Sequence, residues 1–157
     1  MNLPAVLLWG FAGTTILTTI LRASQAFGLT RMDLPLVLGL TVTANRDRAK
    51  AYGFFIHLFN GWIFSLIYAA FFEMLGYATW WLGLIIGFIH ALFVLVVGLP
   101  VIPGLHPRMA TDAQGPEPTR ELEPPGFMAI NYGRRTPIVT IVAHLIFGVI
   151  LGIFYRM

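Results

Sequence analysis

The chain has 157 residues, of which 57% are apolar and only 11% charged, with a formal net charge of +3. A soluble domain carries roughly 25% charged residues, so this composition excludes a soluble globular enzyme, a disordered tail and a collagen-like rod, and points to one compact integral membrane domain. Cysteine is absent, which excludes disulfides, thiolate metal sites and cysteine nucleophiles.

Four stretches lack Asp, Glu, Lys and Arg: residues 1–21, 51–72, Met74–Pro107 and Thr136–Tyr155. A helix needs about 20 apolar residues to cross a hydrocarbon core of about 30 Å. The stretches therefore predict four spans, near 3–21, 51–74, 78–101 and 137–155. The first lacks the basic leading region of a secretory signal and is expected to stay in place as a span. The second and third are joined by a short turn around Met74–Thr79, so they run antiparallel.

Between the first two spans, Leu34–Ala44 is uncharged but too short to cross, which suits an interfacial or re-entrant helix. Eight of the ten prolines fall between Pro100 and Pro137. Proline breaks helices, so 103–123 is expected to be a non-helical excursion. It mixes Asp112, Glu117, Glu121 and Glu123 with Arg108 and Arg120, and Arg134 and Arg135 follow. Long loops of this kind are functional or mobile. An ordered cap held by ion pairs, or a docking surface, is the expectation, and a mobile linker is the alternative.

Basic residues set orientation. Arg22, Arg31, Arg46, Arg48 and Lys50 lie in the first long loop, and Arg108, Arg120, Arg134 and Arg135 in the second. Arg156 alone falls on the other side. Both long loops are therefore expected to be cytoplasmic, with both termini outward. Tyr77, Trp80 and Trp81 then sit at the outer interface, where amphipathic rings prefer to lie.

The second and fourth spans share a pattern. His57-Leu58-x-x-Gly61 with Tyr68 matches His144-Leu145-x-x-Gly148 with Tyr155 at a constant offset of 87, which also relates Gly39 to Gly126. Gly10 and Thr14 align more weakly with Gly83 and Gly87, at an offset of 73. The chain reads as a tandem two-span repeat, about 1–75 and about 76–157, whose halves run in the same direction across the membrane. Gly53, His57, Gly61 and Ser65 recur every four residues, as do Thr140, His144, Gly148 and Gly152, so each set shares a helix face. Small residues on one face let helices approach closely in lipid. The expected fold is an all-α membrane bundle of four transmembrane helices, with short interfacial or re-entrant helices in the long loops.

Ionisable groups at membrane depth mark functional sites by default. His57, His90 and His144 lie inside spans, and His106 lies just past the third. Three readings stand open. The imidazoles could bond across the bundle to partners such as Asn60, Thr14 or Tyr68. Two imidazoles facing each other from the repeat-related helices, His57 and His144, could be axial ligands of haem b. They could also form a proton or ion relay, with Tyr68 and Tyr155 on the same faces. No metalloprotease helix, nucleophile elbow or phosphate loop is present. Glu73 lies at the outer edge and reads as an interfacial anchor. Arg46, Arg48, Arg108, Arg134 and Arg135 are candidates for lipid headgroups or a partner.

At the repeated His-Leu-x-x-Gly-x6-Tyr pattern and at LEPPGFMAINYGRRTP, residues 122–137, the chain resembles a group of small, uncharacterised bacterial four-span membrane proteins. The resemblance covers most of the chain. It implies a bacterial inner-membrane location and brings no activity, cofactor or catalytic residue with it. The leading expectation for function is a non-enzymatic accessory or scaffolding subunit, with a membrane-protein partner or a second copy and no nucleic acid. The alternatives are a redox subunit carrying haem b and a small transporter or channel acting as a homo-oligomer.

Overall fold

The computed structural model describes residues 1–111, 114 and 117–156. Asp112, one of the acidic residues of the expected cap, lies outside them. Four helices are long and apolar enough to cross a membrane: Leu3–Ala26, Arg46–Leu75, Trp80–Leu105 and Thr136–Phe154. The protein is an all-α, multi-pass membrane protein. No strand forms among the described residues beyond an isolated Met109–Leu122 bridge.

Helix α1 (Leu3–Ala26) begins where the Asn2 side chain accepts from the Ala5 N–H at 3.1 Å, with Pro4 in the first turn. It runs five residues past the expected end at residue 21. Arg22 does not stop it, because a charged side chain that has left the hydrocarbon costs a helix nothing; the turn comes at Gly28, with φ +70°. The same logic starts α3 (Arg46–Leu75) earlier than expected, with Asn45 capping the Asp47 and Arg48 N–H groups at 3.1 and 3.0 Å. Gly76, left-handed at φ 79°, ends α3. Between them lies α2 (Leu34–Gly39), capped by Asp33 at 3.1 Å from the Leu36 N–H. It docks on the first turns of α3 through glycines: a Cβ on Gly39 would strike the Ala49 carbonyl, and one on Gly53 the Pro35 carbonyl.

The third span is composite. After α4 (Trp80–Phe93) comes a π turn, Val94–Gly98, and then α5 (Leu99–Leu105). The Leu99 N–H bonds the Val94 carbonyl, five residues back. Pro100 cannot donate to the preceding turn. The wider turn lets a new helix begin with Pro100 in its first turn, where an N–H has no intrahelical partner. The expected non-helical excursion over 103–123 is thus corrected: α5 carries Pro103 within it, and the helix ends only at His106.

In the second long loop, the stretch equivalent to α2 is not an α-helix. It is a 3-10 element, Phe127–Tyr132, in which Met128 and Ala129 hold φ of 52° and 59°. Left-handed backbone is strained in residues other than glycine, and Ala129 holds it while fully buried. The last span, α6 (Thr136–Phe154), has Pro137 in its first turn.

The long helices pack in the order α3, α1, α6, α4. The closest approach is α4 against α6: a Cβ on Gly83 would strike the Gly148 carbonyl, one on Gly148 the Gly83 carbonyl, and one on Gly152 the Thr79 carbonyl. Phe55, Phe59, Ile85, Phe88 and Ile89 point outward, while Thr14, Thr18, Ser65, Thr136, Thr140 and His144 are buried. In lipid the exterior is apolar, and packing and hydrogen bonds hold the interior.

Both long loops meet at one end of the bundle. Arg31 pairs with Glu123 at 3.2 Å and Arg46 with Glu121 at 2.8 Å. The two chain ends and the α3–α4 turn meet at the other, where the Tyr155 hydroxyl donates to Glu73 Oε1 at 2.6 Å and accepts from the Asn2 N–H at 3.0 Å.

Gly83→Ala and Gly148→Ala are each expected to force α4 and α6 apart and to cost about 1–3 kcal/mol by overpacking. Gly104→Ala, where an added Cβ meets nothing within 4 Å, should leave the thermal unfolding midpoint in detergent unchanged or slightly raised. Equal midpoints for the three variants would contradict the close contact.

Candidate functional site

A cavity of about 190 Å³ lies between α3 and α4, backed by α1 and α6. Three of the four histidines line it: His57 from α3, His90 from α4 and His144 from α6. The α4–α6 glycine contact brings two of them together, with the His90 and His144 rings edge to face at 4.6 Å between centroids. Phe64 stacks on His90 at 3.7 Å. Phe93, Phe147 and the π-turn residues Val94 and Gly98 complete much of the wall.

The hydrogen bonds assign the protons. Thr18 donates its hydroxyl to the Thr14 carbonyl at 2.7 Å, so its oxygen can only accept from His57 Nδ1–H, 2.9 Å away. His144 Nδ1–H donates to the Thr140 carbonyl at 2.8 Å. A neutral imidazole that donates from Nδ1 carries its lone pair on Nε2. His57 and His144 therefore each present an unprotonated Nε2, and neither Nε2 has a hydrogen bond to the described residues. The Tyr68 hydroxyl lies 3.4 Å from His90 Nδ1, where either atom can be the donor according to the tautomer of the ring.

Thr14 belongs to the same wall. It is 1% exposed, and its Oγ1 has no partner. Gly61 is required beside it, because a Cβ there would strike the Thr14 side chain. Asn60 lines the cavity but does not bond a histidine. Of the expected imidazole partners, Tyr68 is in place, while Asn60 and Thr14 are replaced by Thr18 and the Thr140 carbonyl. Thr18 escaped sequence reading, although Gly10, Thr14 and Thr18 recur every four residues along α1.

The other expected residues fall elsewhere. His106 is buried at the loop end, where it accepts from the Arg108 N–H at Nδ1, 3.0 Å away, and so donates from Nε2 to the Val37 carbonyl at 2.9 Å. Arg108 bonds the Leu40 carbonyl at 2.6 Å. These two side chains satisfy carbonyls that the short α2 leaves open; they clamp the cap and take no part in the cavity. Tyr132, buried in the second long loop, donates to the Glu123 carbonyl at 2.5 Å, and burial together with the Glu123 charge pushes its phenol up to about 12. Tyr155 lies at the terminal end, remote from the histidines. Gly148 is a helix contact. Arg134 and Arg135 are exposed at the loop end, and Arg48 borders a groove on the outer side of α3 with Tyr52 and Phe59.

The His90 and His144 rings lie too close to share one iron. Iron between two imidazoles, about 2 Å from each nitrogen, separates the ring centroids by about 6 Å, and these rings touch at 4.6 Å. Among the described residues, no group of three or more His, Asp or Glu side chains could hold a metal ion. What the cavity can do is accept hydrogen bonds within an aromatic wall.

A double-mutant cycle of Thr18→Val with His57→Leu should give a coupling of about 0.6–1.7 kcal/mol in thermal unfolding, the range of interhelical hydrogen bonds in membranes; additive effects would refute the assigned bond. Compared with protein-family models, curated proteins and solved structures, the chain matches none.

Proposed function

We propose that this protein is a non-enzymatic membrane protein that binds a lipid-soluble small molecule in its imidazole-lined cavity. One observation carries the reading: side chains from three helices converge on one cavity, and two of their nitrogens are acceptors with no hydrogen bond to a described residue. Neither nitrogen bonds a described residue, so a hydrogen-bond donor carried by a bound molecule would satisfy it. The size supports the same reading, since a cavity of about 150 Å³ in another protein admits benzene.

An accessory or scaffolding role is the second reading. The ion-paired cap favours it, with Arg134 and Arg135 exposed beside it. Against it stands the use of the small-residue faces: Gly61, Gly83, Gly148 and Gly152 all contact helices of the same chain, which leaves them no role in gathering a second copy. A transport path has less support, because Tyr68, Phe72 and Leu151 fill the bundle on the terminal side of the cavity. The bias of basic residues supports a cytoplasmic loop end, and the proposed location is a bacterial inner membrane.

Purification in mild detergent, organic extraction and mass spectrometry should recover one lipid-soluble small molecule near stoichiometry. Gly98→Phe fills the cavity from a position where a Cβ meets only the Phe93 carbonyl, 3.9 Å away, and should abolish that recovery. Bulk phospholipid alone, equal in both preparations, would overturn the reading. Orientation has its own check, since the chain has no native cysteine. A membrane-impermeant maleimide should label Tyr77→Cys in intact cells, and Val42→Cys only after permeabilisation; the reverse pattern would invert the topology.

A further inference from the structure

The geometry points to a phenolic ring of the hydroquinone class as the ligand, held by hydroxyl donation to Nε2 of His57 and His144, with an apolar tail leaving between α3 and α4. This rests on the cavity being a binding site, as proposed above, and specifies what it selects.

The argument is one of donors and acceptors. His57 Nε2 and His144 Nε2 are pure acceptors, because each ring has already committed its proton at Nδ1. Only a ligand carrying an O–H or N–H can satisfy them. The remaining polar groups include Thr14 Oγ1 and the Asn60 amide, and each has a proton to give. A hydroxyl serves both needs at once: it donates to an imidazole and accepts from one of these neighbours. A quinone carbonyl, an ether or a hydrocarbon only accepts or does neither, and leaves both imidazole nitrogens unpaired. The site is built for this task, since Thr14 is 1% exposed and His144 4%.

The walls select a flat ring. Phe64 lies stacked on His90, and Phe147 stands 6.0 Å from His90 at an interplanar angle of 69°, so the cavity is bounded by aromatic faces and edges. A volume of about 190 Å³ takes a six-membered ring with small substituents, by comparison with a cavity of about 150 Å³ that admits benzene. The tail follows from the helix order. α3 and α4 end the arc and meet through Phe64, Tyr68, His90 and Phe93 rather than by close backbone packing. Phe93 is 48% exposed on that seam, which opens toward lipid, and Leu38, Val94 and Ile102 extend the apolar lining toward the loop end.

The test uses the purified full chain in detergent and three probes sharing one decyl-substituted ring: the hydroquinone, kept reduced under anaerobic dithionite; the quinone, without reductant; and the hydroquinone dimethyl ether. Benzene is the fourth ligand. Binding is read by titration of tryptophan fluorescence and by thermal shift. The hydroquinone should bind about tenfold or more tightly than the quinone and the ether, the factor expected when a buried acceptor goes unpaired. His57→Leu and His144→Leu should each reduce that preference, while Gly98→Phe should abolish binding of every probe. Equal affinities for the three decyl probes would overturn the hydroquinone assignment and leave a cavity that binds apolar molecules. Failure of all four to bind would overturn both. The comparison among probes uses the native chain, so it stands even where a histidine variant fails to fold.

Discussion

The structure depends on the backbone contact between α4 and α6. Gly83 and Gly148 each face the other's carbonyl, and Gly87 and Gly152 continue the approach one turn to either side. Side chains of any size would hold these helices apart by the ordinary 8–10 Å. Without them, His90 and His144 come ring to ring at 4.6 Å, and Phe147 reaches both Tyr68 and the cavity wall. The glycines of the fourth span therefore act beyond packing. They set where two of the three cavity imidazoles lie.

Two solvents act on this chain, and each end obeys different rules. Inside the bilayer, apolar burial gives no drive to associate, so the interior is built from small residues and from hydroxyls that bond the preceding turn. Thr18 to the Thr14 carbonyl and Ser65 to the Gly61 carbonyl are of this kind, at 2.7 and 2.8 Å. At the loop end water returns. There the ion pairs of Arg31 and Arg46 with Glu123 and Glu121 are exposed and weak. The buried His106, with Arg108 beside it, does more, because these side chains satisfy the Val37 and Leu40 carbonyls at the end of α2. The cap holds its shape through those bonds and through the α2–α3 glycine contact.

The π turn links these two regions. It falls where the third span leaves the cavity and the prolines begin, and it re-registers the helix so that Gly98 and Leu99 border the cavity while Ile102 packs under the cap. A regular helix through Pro100 would leave the Val96 carbonyl unpaired and crowded by the ring. The proline-rich composition of this stretch thus shapes the cavity rim as well as ending the span.

The amino-acid sequence by itself determined the class, the four spans, and the faces that pack. Uncharged runs and four-residue spacing of small residues are local properties that lipid reads directly, so Gly53, Gly61, Gly148 and Gly152 fell where expected. Span ends were legible only to within a turn or so, because helices α1, α3 and α5 continue past the hydrocarbon until a glycine or a cap stops them. The histidines stood out as exceptions in apolar runs, yet their arrangement was not legible. Tertiary packing alone decided that His57, His90 and His144 share a cavity while His106 clamps the cap, and that Tyr68 and Tyr155, matched in sequence, meet His90 and Glu73 at different depths. Hydrogen-bond partners come from other helices, as Thr18 does for His57, and no spacing within one helix encodes which neighbour will face it.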